Sequence, residues 1–286
     1  MLGHLSTKSL RLSRYLSNGD WLPELRCLPT GESRIALTFD DGPTRETTPA
    51  ILTCLARYRA KATFFFTGMR AAACPELVQA VVDEGHDVFP HGWRHIHYDE
   101  VAPERLIDDL ERCESVLKRF RNTPAPYLIR LPYTAGHRSA GVHRALRRWN
   151  ATVQLAHYSV TFNDWRLGRD CRTLADVEAQ VSRVLSGAPY DQMRGKIVLL
   201  HEAPFDSDGC RLPDPPPGAA VGPILLRRIL AEFALRGFET TRIAPMSRQS
   251  PYSRYLLAPR RKVVVSPKTD ARSRAPSSPV LGDRAE

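Results

Sequence analysis

Ile35-Ala36-Leu37-Thr38-Phe39-Asp40-Asp41-Gly42-Pro43-Thr44 is an apolar run that ends in two adjacent carboxylates and a Gly-Pro turn. The run reads as a buried strand, and Gly-Pro terminates it. Asp40 and Asp41 then stand at the carboxyl end of a strand, where α/β folds gather their active sites. Two neighbouring acids repel each other unless a cation or a proton separates them. One can therefore hold a metal while the other works as a base. Taken alone, the stretch is equally well a strand followed by an Asx-type turn.

A second segment gives the first its weight. Gly85-His86-Asp87-Val88-Phe89-Pro90-His91-Gly92-Trp93-Arg94-His95-Ile96-His97 is a short strand running into a polar loop. His91 and His95 are four residues apart, so one helical turn or a tight loop points both imidazoles the same way. Neutral imidazole suits zinc and similar ions, and a carboxylate completes a facial set that leaves positions open for water and substrate. A histidine pair at this spacing is more often incidental, and only the acidic strand end upstream shifts the balance. His86 and His97 read as surface or hydrogen-bonding residues, with His97 also a candidate partner behind a metal ligand.

Three more strand ends repeat the pattern. Tyr127-Leu128-Ile129-Arg130-Leu131-Pro132-Tyr133 ends an apolar run in an arginine and a Pro-aromatic pair. Thr161-Phe162-Asn163-Asp164-Trp165 sets an acid beside a tryptophan, and Ile197-Val198-Leu199-Leu200-His201-Glu202 ends four aliphatic residues in a histidine. Each has a bland account as an ion-pair arginine, a turn aspartate or a capped strand. Their shared position at strand ends argues against chance.

In order, Thr-Phe-Asp-Asp-Gly-Pro, His-x-x-x-His, Arg-x-Pro-Tyr, Asp-Trp and Leu-x-x-His resemble the motifs of the polysaccharide deacetylases. These are the metal-dependent enzymes of carbohydrate esterase family 4, built on the NodB homology domain. The resemblance runs from about Arg34 to Pro245, and its first motif is the most specific. It implies Asp40 as general base and Asp41, His91 and His95 as ligands of a divalent metal, zinc first, with cobalt or another divalent ion as alternatives. It implies that Arg130 orients Asp40 and that His201, tuned by Asp164, is the general acid. Tyr133 is implied in the oxyanion pocket through its backbone N–H, and Trp165 in the wall of the acyl pocket. The residue types suit metal-assisted amide hydrolysis: an acid to deprotonate water, a cation and backbone donors for the oxyanion, and an imidazole to protonate the departing amine.

Two departures bear on the substrate. Many members carry Ser or Thr after the first metal histidine, where Gly92 and Trp93 stand here. His-Gly-Trp-Arg-His is closer to a subgroup acting on other amides and cyclic ureides. Thr161 also stands where an acid is usual, three residues before Asp164.

Around the motifs, apolar runs alternate with amphipathic segments. Helices are expected at Glu46–Tyr58, Pro75–Glu84, Pro103–Phe120, Ser139–Trp149, Leu174–Leu185 and Gly222–Leu235. Strands are expected at Ile35–Phe39, Ala62–Phe66, Asp87–Phe89, Tyr127–Leu131, Thr152–Ala156, Lys196–Leu200 and Phe238–Thr241. Such alternation predicts an α/β fold with a parallel sheet. Clustering at strand ends favours a closed or nearly closed barrel, and the resemblance implies an irregular (β/α) barrel of about seven parallel strands. The expected organisation is a basic flank over 1–33, a NodB-type catalytic domain over 34–246 and a basic, disordered tail over 247–286.

The chain has 286 residues and a formal net charge of +10, but the excess sits in the flanks. From 247 onward there are nine Lys and Arg against three Asp and Glu, whereas residues 35–246 hold 27 against 25. A solvated tail, or weak contact with an anionic surface, accounts for this, and no nucleic-acid fold signature accompanies it. Leu5, Leu10, Leu12 and Leu16 suggest a weak amphipathic helix, with no apolar stretch long enough for a signal peptide or membrane span. The six cysteines show no Cys-x-x-Cys spacing. Together these features predict a cytoplasmic chain with reduced thiols. A Pro-rich loop over Leu212–Gly218 is expected to border the substrate groove. The expected function is N-deacetylation of N-acetylhexosamine in an oligosaccharide, polysaccharide or lipid-linked glycan. Alternatives are a deformylase or cyclic ureide hydrolase on the same scaffold, and an inactive carbohydrate-binding relative.

Overall fold

The computed structural model describes residues 21–28, 33–122, 126–168, 171–202, 221–244 and 263–265. Its strands are β1 (Glu24–Leu25), β2 (Ile35–Asp40), β3 (Thr63–Phe66), β4 (Asp87–Pro90), β5 (Leu128–Ile129), β6 (Gln154–Ala156), β7 (Val160–Thr161), β8 (Ile197–His201), β9 (Thr240–Thr241) and β10 (Val263–Val264). Its α-helices are α1 (Thr48–Arg57), α2 (Gly68–Ala73), α3 (Pro75–Asp83), α4 (Pro103–Leu117), α5 (Ala140–Trp149), α6 (Leu174–Ser186) and α7 (Val221–Leu235). The helix starts follow local chemistry. Pro75 and Pro103 open α3 and α4, where a missing N–H costs nothing. Ser139 caps α5, and Thr173 with Asp176 forms a capping box on α6.

The described ladders are parallel: β4, β3, β2, β8 and β7 lie side by side in one sheet, and β5 pairs with β6 in a second. In chain order β2 through β8 trace the staves of an α/β barrel, as expected. Ladder pairing is interrupted between β4 and β5 and between β6 and β7 among the described residues. One backbone bond, from Arg130 N–H to Pro90 O at 3.4 Å, spans the first gap.

Two strand assignments differ from expectation. Phe238–Thr241 contributes only β9, which pairs beside the start of β2 at Ile35 and Ala36. Its place among the staves is taken by β7, two residues too short to give a period-2 signal. Short strands outside the central segment also join: β1 pairs with β6, and β10 with β7. The helix α2, too short for a helical period, was not expected either.

Alternation along β2 sorts its side chains into two environments. Ile35, Leu37 and Phe39 join Phe64, Phe66 and the helix residues Ile51, Leu55 and Val78 in the main core cluster. Ala36 joins Phe65, Phe89, Leu128, Ala156 and Ile197 in a separate cluster on the other face. All six residues of β2 are buried, the signature of a strand covered on both sides. Each buried Phe contributes about 1.5–3 kcal/mol relative to exposure, so these faces fix the register. Asp40 follows Ala36 and Thr38 onto the inner face.

Among the described residues no helix is long and apolar enough to cross a membrane. The suggested helix around Leu5–Leu16, the Leu212–Gly218 loop and nearly all of the basic tail lie outside the described residues.

Candidate active site

Parallel register sets the first relationship. Asp40 at the end of β2 stands opposite His201 at the end of β8. Arg130, one residue past β5, is 2 % exposed, and a guanidinium buried so deeply needs partners for its N–H groups. Its Nη1 donates to Asp40 Oδ1 and to Thr38 Oγ1, both at 2.7 Å. Nε donates to Ala156 O and Nη2 to His157 O, both at 3.0 Å. The Thr38 hydroxyl gives its own proton to Val198 O, which leaves a lone pair for Arg130. The plane lies 4.3 Å over the Phe65 ring. Asp40 is thereby held by a cation that is itself locked on every side.

Asp41, in the left-handed region at φ 77°, turns away from the strand, and its carbonyl accepts from Arg70 Nη1 at 2.9 Å. His91 Nδ1 lies 2.8 Å from Arg130 O. A carbonyl only accepts, so Nδ1 carries the hydrogen and a neutral ring offers its Nε2 lone pair inward. That Nε2 is 3.3 Å from Asp41 Oδ1, and His95 Nε2 is 3.1 Å from the same oxygen. Three potential ligand atoms of Asp41, His91 and His95 lie within 4.8 Å of one another, and all three residues are buried. Ligands about 2.1 Å from one cation at tetrahedral or octahedral angles stand about 3.0–3.4 Å apart. Asp41 Oδ1 is buried with no hydrogen bond to satisfy it, although two imidazoles face it. Burial by itself would raise the Asp41 carboxyl, yet His95 and His91 hold it well below the usual carboxylate range. An ionised oxygen and two imidazole nitrogens on one face fit a divalent cation of the zinc type.

His201 Nδ1 meets Asp164 Oδ1 at 2.8 Å, and its backbone N–H donates to Asp164 Oδ2 at 2.6 Å. Asp164 reaches it from a 3-10 turn entered through left-handed Asn163, φ 50°. Burial alone would lower His201, but the charge and hydrogen bond of Asp164, helped by Asp41 and Asp40, raise it to about 9. The imidazole is thus protonated at neutral pH, with Nε2–H left to donate.

Tyr133 and Trp165 are 45 % and 41 % exposed. Tyr133, at φ 55°, puts its ring 4.3 Å from His95 and stacks on His97 at 4.0 Å. His97 therefore lies behind Tyr133, one ring removed from His95. His86 is buried rather than at the surface: its Nδ1 accepts from Ala62 N–H at 3.2 Å, and burial lowers it to about 4.

Glu202 is a further acid at the β8 strand end that lies outside the motifs. It is 1 % exposed, and its Oε2 accepts from the Thr48 hydroxyl. Its backbone N–H donates to Asp40 O at 3.0 Å, and a Cβ on Gly42 would overlap its carboxyl group. Burial pushes it up to about 8, against the opposing effects of Thr48 and Arg70. Its adjacency to His201 was the one available signal, and an acid after a strand-end histidine usually means a solvated turn.

The polysaccharide deacetylase family model matches residues 28–153. The chain is 33 % identical over 181 residues to a peptidoglycan-N-acetylglucosamine deacetylase of Bacillus cereus, covering 63 % of this chain and 77 % of that one. It is 30 % identical over 190 residues to the peptidoglycan-N-acetylglucosamine deacetylase PgdA of Listeria monocytogenes, covering 66 % of this chain but only 36 % of that longer protein. In fold it is similar to the crystal structure of a peptidoglycan N-acetylglucosamine deacetylase in complex with 4-naphthalen-1-yl-N-oxidanyl-benzamide. That likeness has a TM-score of 0.61 at 23 % identity and covers 80 % of this chain and 95 % of that one. The protein belongs to the polysaccharide deacetylase family.

Proposed function

We propose that this protein is a metal-dependent hydrolase that removes N-acetyl groups from N-acetylhexosamine residues of a glycan. The observation that carries the reading is the meeting of three elements at neighbouring strand ends. They are Asp40 clamped by Arg130, the Asp41–His91–His95 set, and the His201–Asp164 pair. A divalent cation on Asp41, His91 and His95 would supply polarisation of the acyl carbonyl and acidification of water.

The chain's own residues then divide the proton transfers. Asp40, kept in place by Arg130, takes a proton from the attacking water as its oxygen bonds to the acyl carbon. His201 gives its Nε2 proton to the amine nitrogen as the C–N bond breaks, so acetate and a free amino sugar leave. Asp164 stabilises the charged imidazole before that transfer. The backbone N–H of Tyr133 is assigned to the developing oxyanion, a contribution of about 3 kcal/mol for one such donor. Trp165 is assigned to the wall of the acyl pocket.

The Gly92–Trp93 departure has a packing explanation that leaves the sugar reading intact. A Cβ at Gly92 would sit 2.6 Å from the Tyr98 hydroxyl oxygen, and Trp93 is buried against Gly68. Relatives named for peptidoglycan N-acetylglucosamine support an N-acetylglucosamine polymer as substrate class. Acetate release from N-acetylated chito-oligosaccharides by zinc- or cobalt-loaded protein, with Asp40→Asn alongside, tests the proposal. Release lost in the variant is the expected result, and no release by the metal-loaded wild type rejects this substrate class. Deformylase and ureidase assays then separate the alternative amide hydrolases. The domain limits 34–246 and a cytoplasmic location belong to the same proposal. Limited proteolysis tests the first and fractionation the second, a location outside the cell favouring wall polymer over a lipid-linked or soluble glycan.

A further inference from the structure

Two of the three candidate metal ligands lie on one irregular loop. Between Pro90 and Tyr98 the chain passes through left-handed geometry at Gly92, φ 79°, and again at His95, φ 55°. A histidine in that region is strained and persists only where its surroundings over-determine it. Part of the support is backbone: Gly68 N–H donates to Gly92 O at 2.9 Å and Met69 N–H to Trp93 O at 3.2 Å.

The rest comes from one carboxylate on α4. Asp109 Oδ2 accepts from the Trp93 backbone N–H at 2.6 Å and from the Tyr98 hydroxyl at 2.8 Å. Trp93 sits inside the His91–His95 span and Tyr98 closes the loop, so a single oxygen ties its middle to its end. Tyr98 is 1 % exposed, and its hydroxyl fills the space beside Gly92 that any side chain there would need. Arg112, one helical turn further along α4, lies 4.1 Å over the Trp93 ring and closes the other side.

We propose that Asp109 is a positioning residue for the metal centre, presetting His91 and His95 toward Asp41 by pinning the loop that carries them. It touches neither imidazole and acts through Trp93 and Tyr98. The inference rests on the proposed cation site at Asp41, His91 and His95, and not on the identity of the substrate. Partners one shell behind the ligands of other metal sites typically govern about 10–100-fold in affinity.

The test is zinc affinity of the full chain, by competition with a chromophoric chelator, for wild type, Asp109→Ala, Asp109→Asn, Tyr98→Phe and the exposed neighbour Asp108→Ala. Asp109→Ala is expected to weaken zinc about 10–100-fold. Asp109→Asn should recover most of this, because an amide oxygen can accept both hydrogen bonds, and Asp108→Ala should match wild type. Melting temperatures with and without zinc add a second readout. A positioning role shrinks the zinc-induced rise, whereas a purely structural role lowers both values equally. Unchanged zinc affinity in Asp109→Ala overturns the inference. If that variant does not fold, Tyr98→Phe decides: a several-fold loss supports the pin, and wild-type affinity overturns it. A wild type that binds no zinc rejects the cation site itself, an outcome distinct from either.

Discussion

Arg130 Nη1 stands 2.7 Å from Asp40 Oδ1 and equally close to Thr38 Oγ1, and the remaining guanidinium nitrogens are spent on the carbonyls of Ala156 and His157. The pair joins β2 to the β5–β6 sheet across the interior, so the same contact holds the barrel and aims the proposed base. Removing one member of such a buried pair leaves the other uncompensated, at a cost of about 3–5 kcal/mol.

Arg130→Lys keeps the charge but cannot keep the planar set of donors. Its melting temperature and kcat are both expected to fall. Asp40→Asn should retain zinc binding while losing about 10²–10⁴-fold in kcat. Parallel zinc titration and acetate assays would separate the two effects, and Asp40→Asn with wild-type turnover would remove Asp40 from the base role.

A second prediction concerns pH. His201 stands at about 9, raised against burial mainly by Asp164. The proposed general acid must be protonated, so activity should be lost as pH rises through its pKa. Asp164→Asn removes the charge that supports the proton, and the alkaline limb of kcat/KM should move to lower pH. A limb that stays in place would mean another group sets it.

Metal removal gives a third. The proposed ligand atoms of Asp41, His91 and His95 lie within 4.8 Å of one another. A chelator should abolish activity and lower the melting temperature, and zinc should restore both. Saturation at a hundredfold excess over Kd stabilises the fold by about 2.7 kcal/mol. His95→Ala should show little of this zinc-dependent rise in calorimetry.

Glu202 supplies a fourth, on stability. Its carboxyl is raised from an ordinary 4.5 to about 8. The folded protein therefore holds a proton that the unfolded chain has released across that window. The contribution is fully present below about 4.5 and is lost as pH rises toward and through 8, at up to about 1.4 kcal/mol per pH unit. Glu202→Gln mimics the protonated form, so its stability should fall less over that range in chemical denaturation at stepped pH. Parallel curves for the two proteins would show that Glu202 is ionised in the fold. Gly42→Ala, whose Cβ would overlap the same carboxyl group, should destabilise by about 1–3 kcal/mol.

Much of the site was legible in the chain because its signals are local. Asp40-Asp41-Gly42-Pro43 terminates a buried run, His91 and His95 keep a fixed spacing, and His201 ends an aliphatic strand. Hydrophobic periodicity and turn chemistry act within a few residues, so strand ends and the residues on them could be read before any folding. The helices over 75–83 and 103–117 were visible for the same reason, each opened by a proline.

What the tertiary structure alone decided are relations between distant residues. Register across β2 and β8 puts Asp40 beside His201, and a contact spanning ninety positions brings Arg130 to Asp40. Glu202 looked like a solvated turn acid until the Asp40–Gly42 segment closed over it, and Asp109 looked like any polar helix residue until Trp93 and Tyr98 met it. β7 became a stave and β9 did not, because two-residue strands take their identity from their neighbours. The sequence by itself determined which chemical groups stand at the strand ends. Long-range packing, through burial and the need to satisfy buried polar groups, decided which of them face one another.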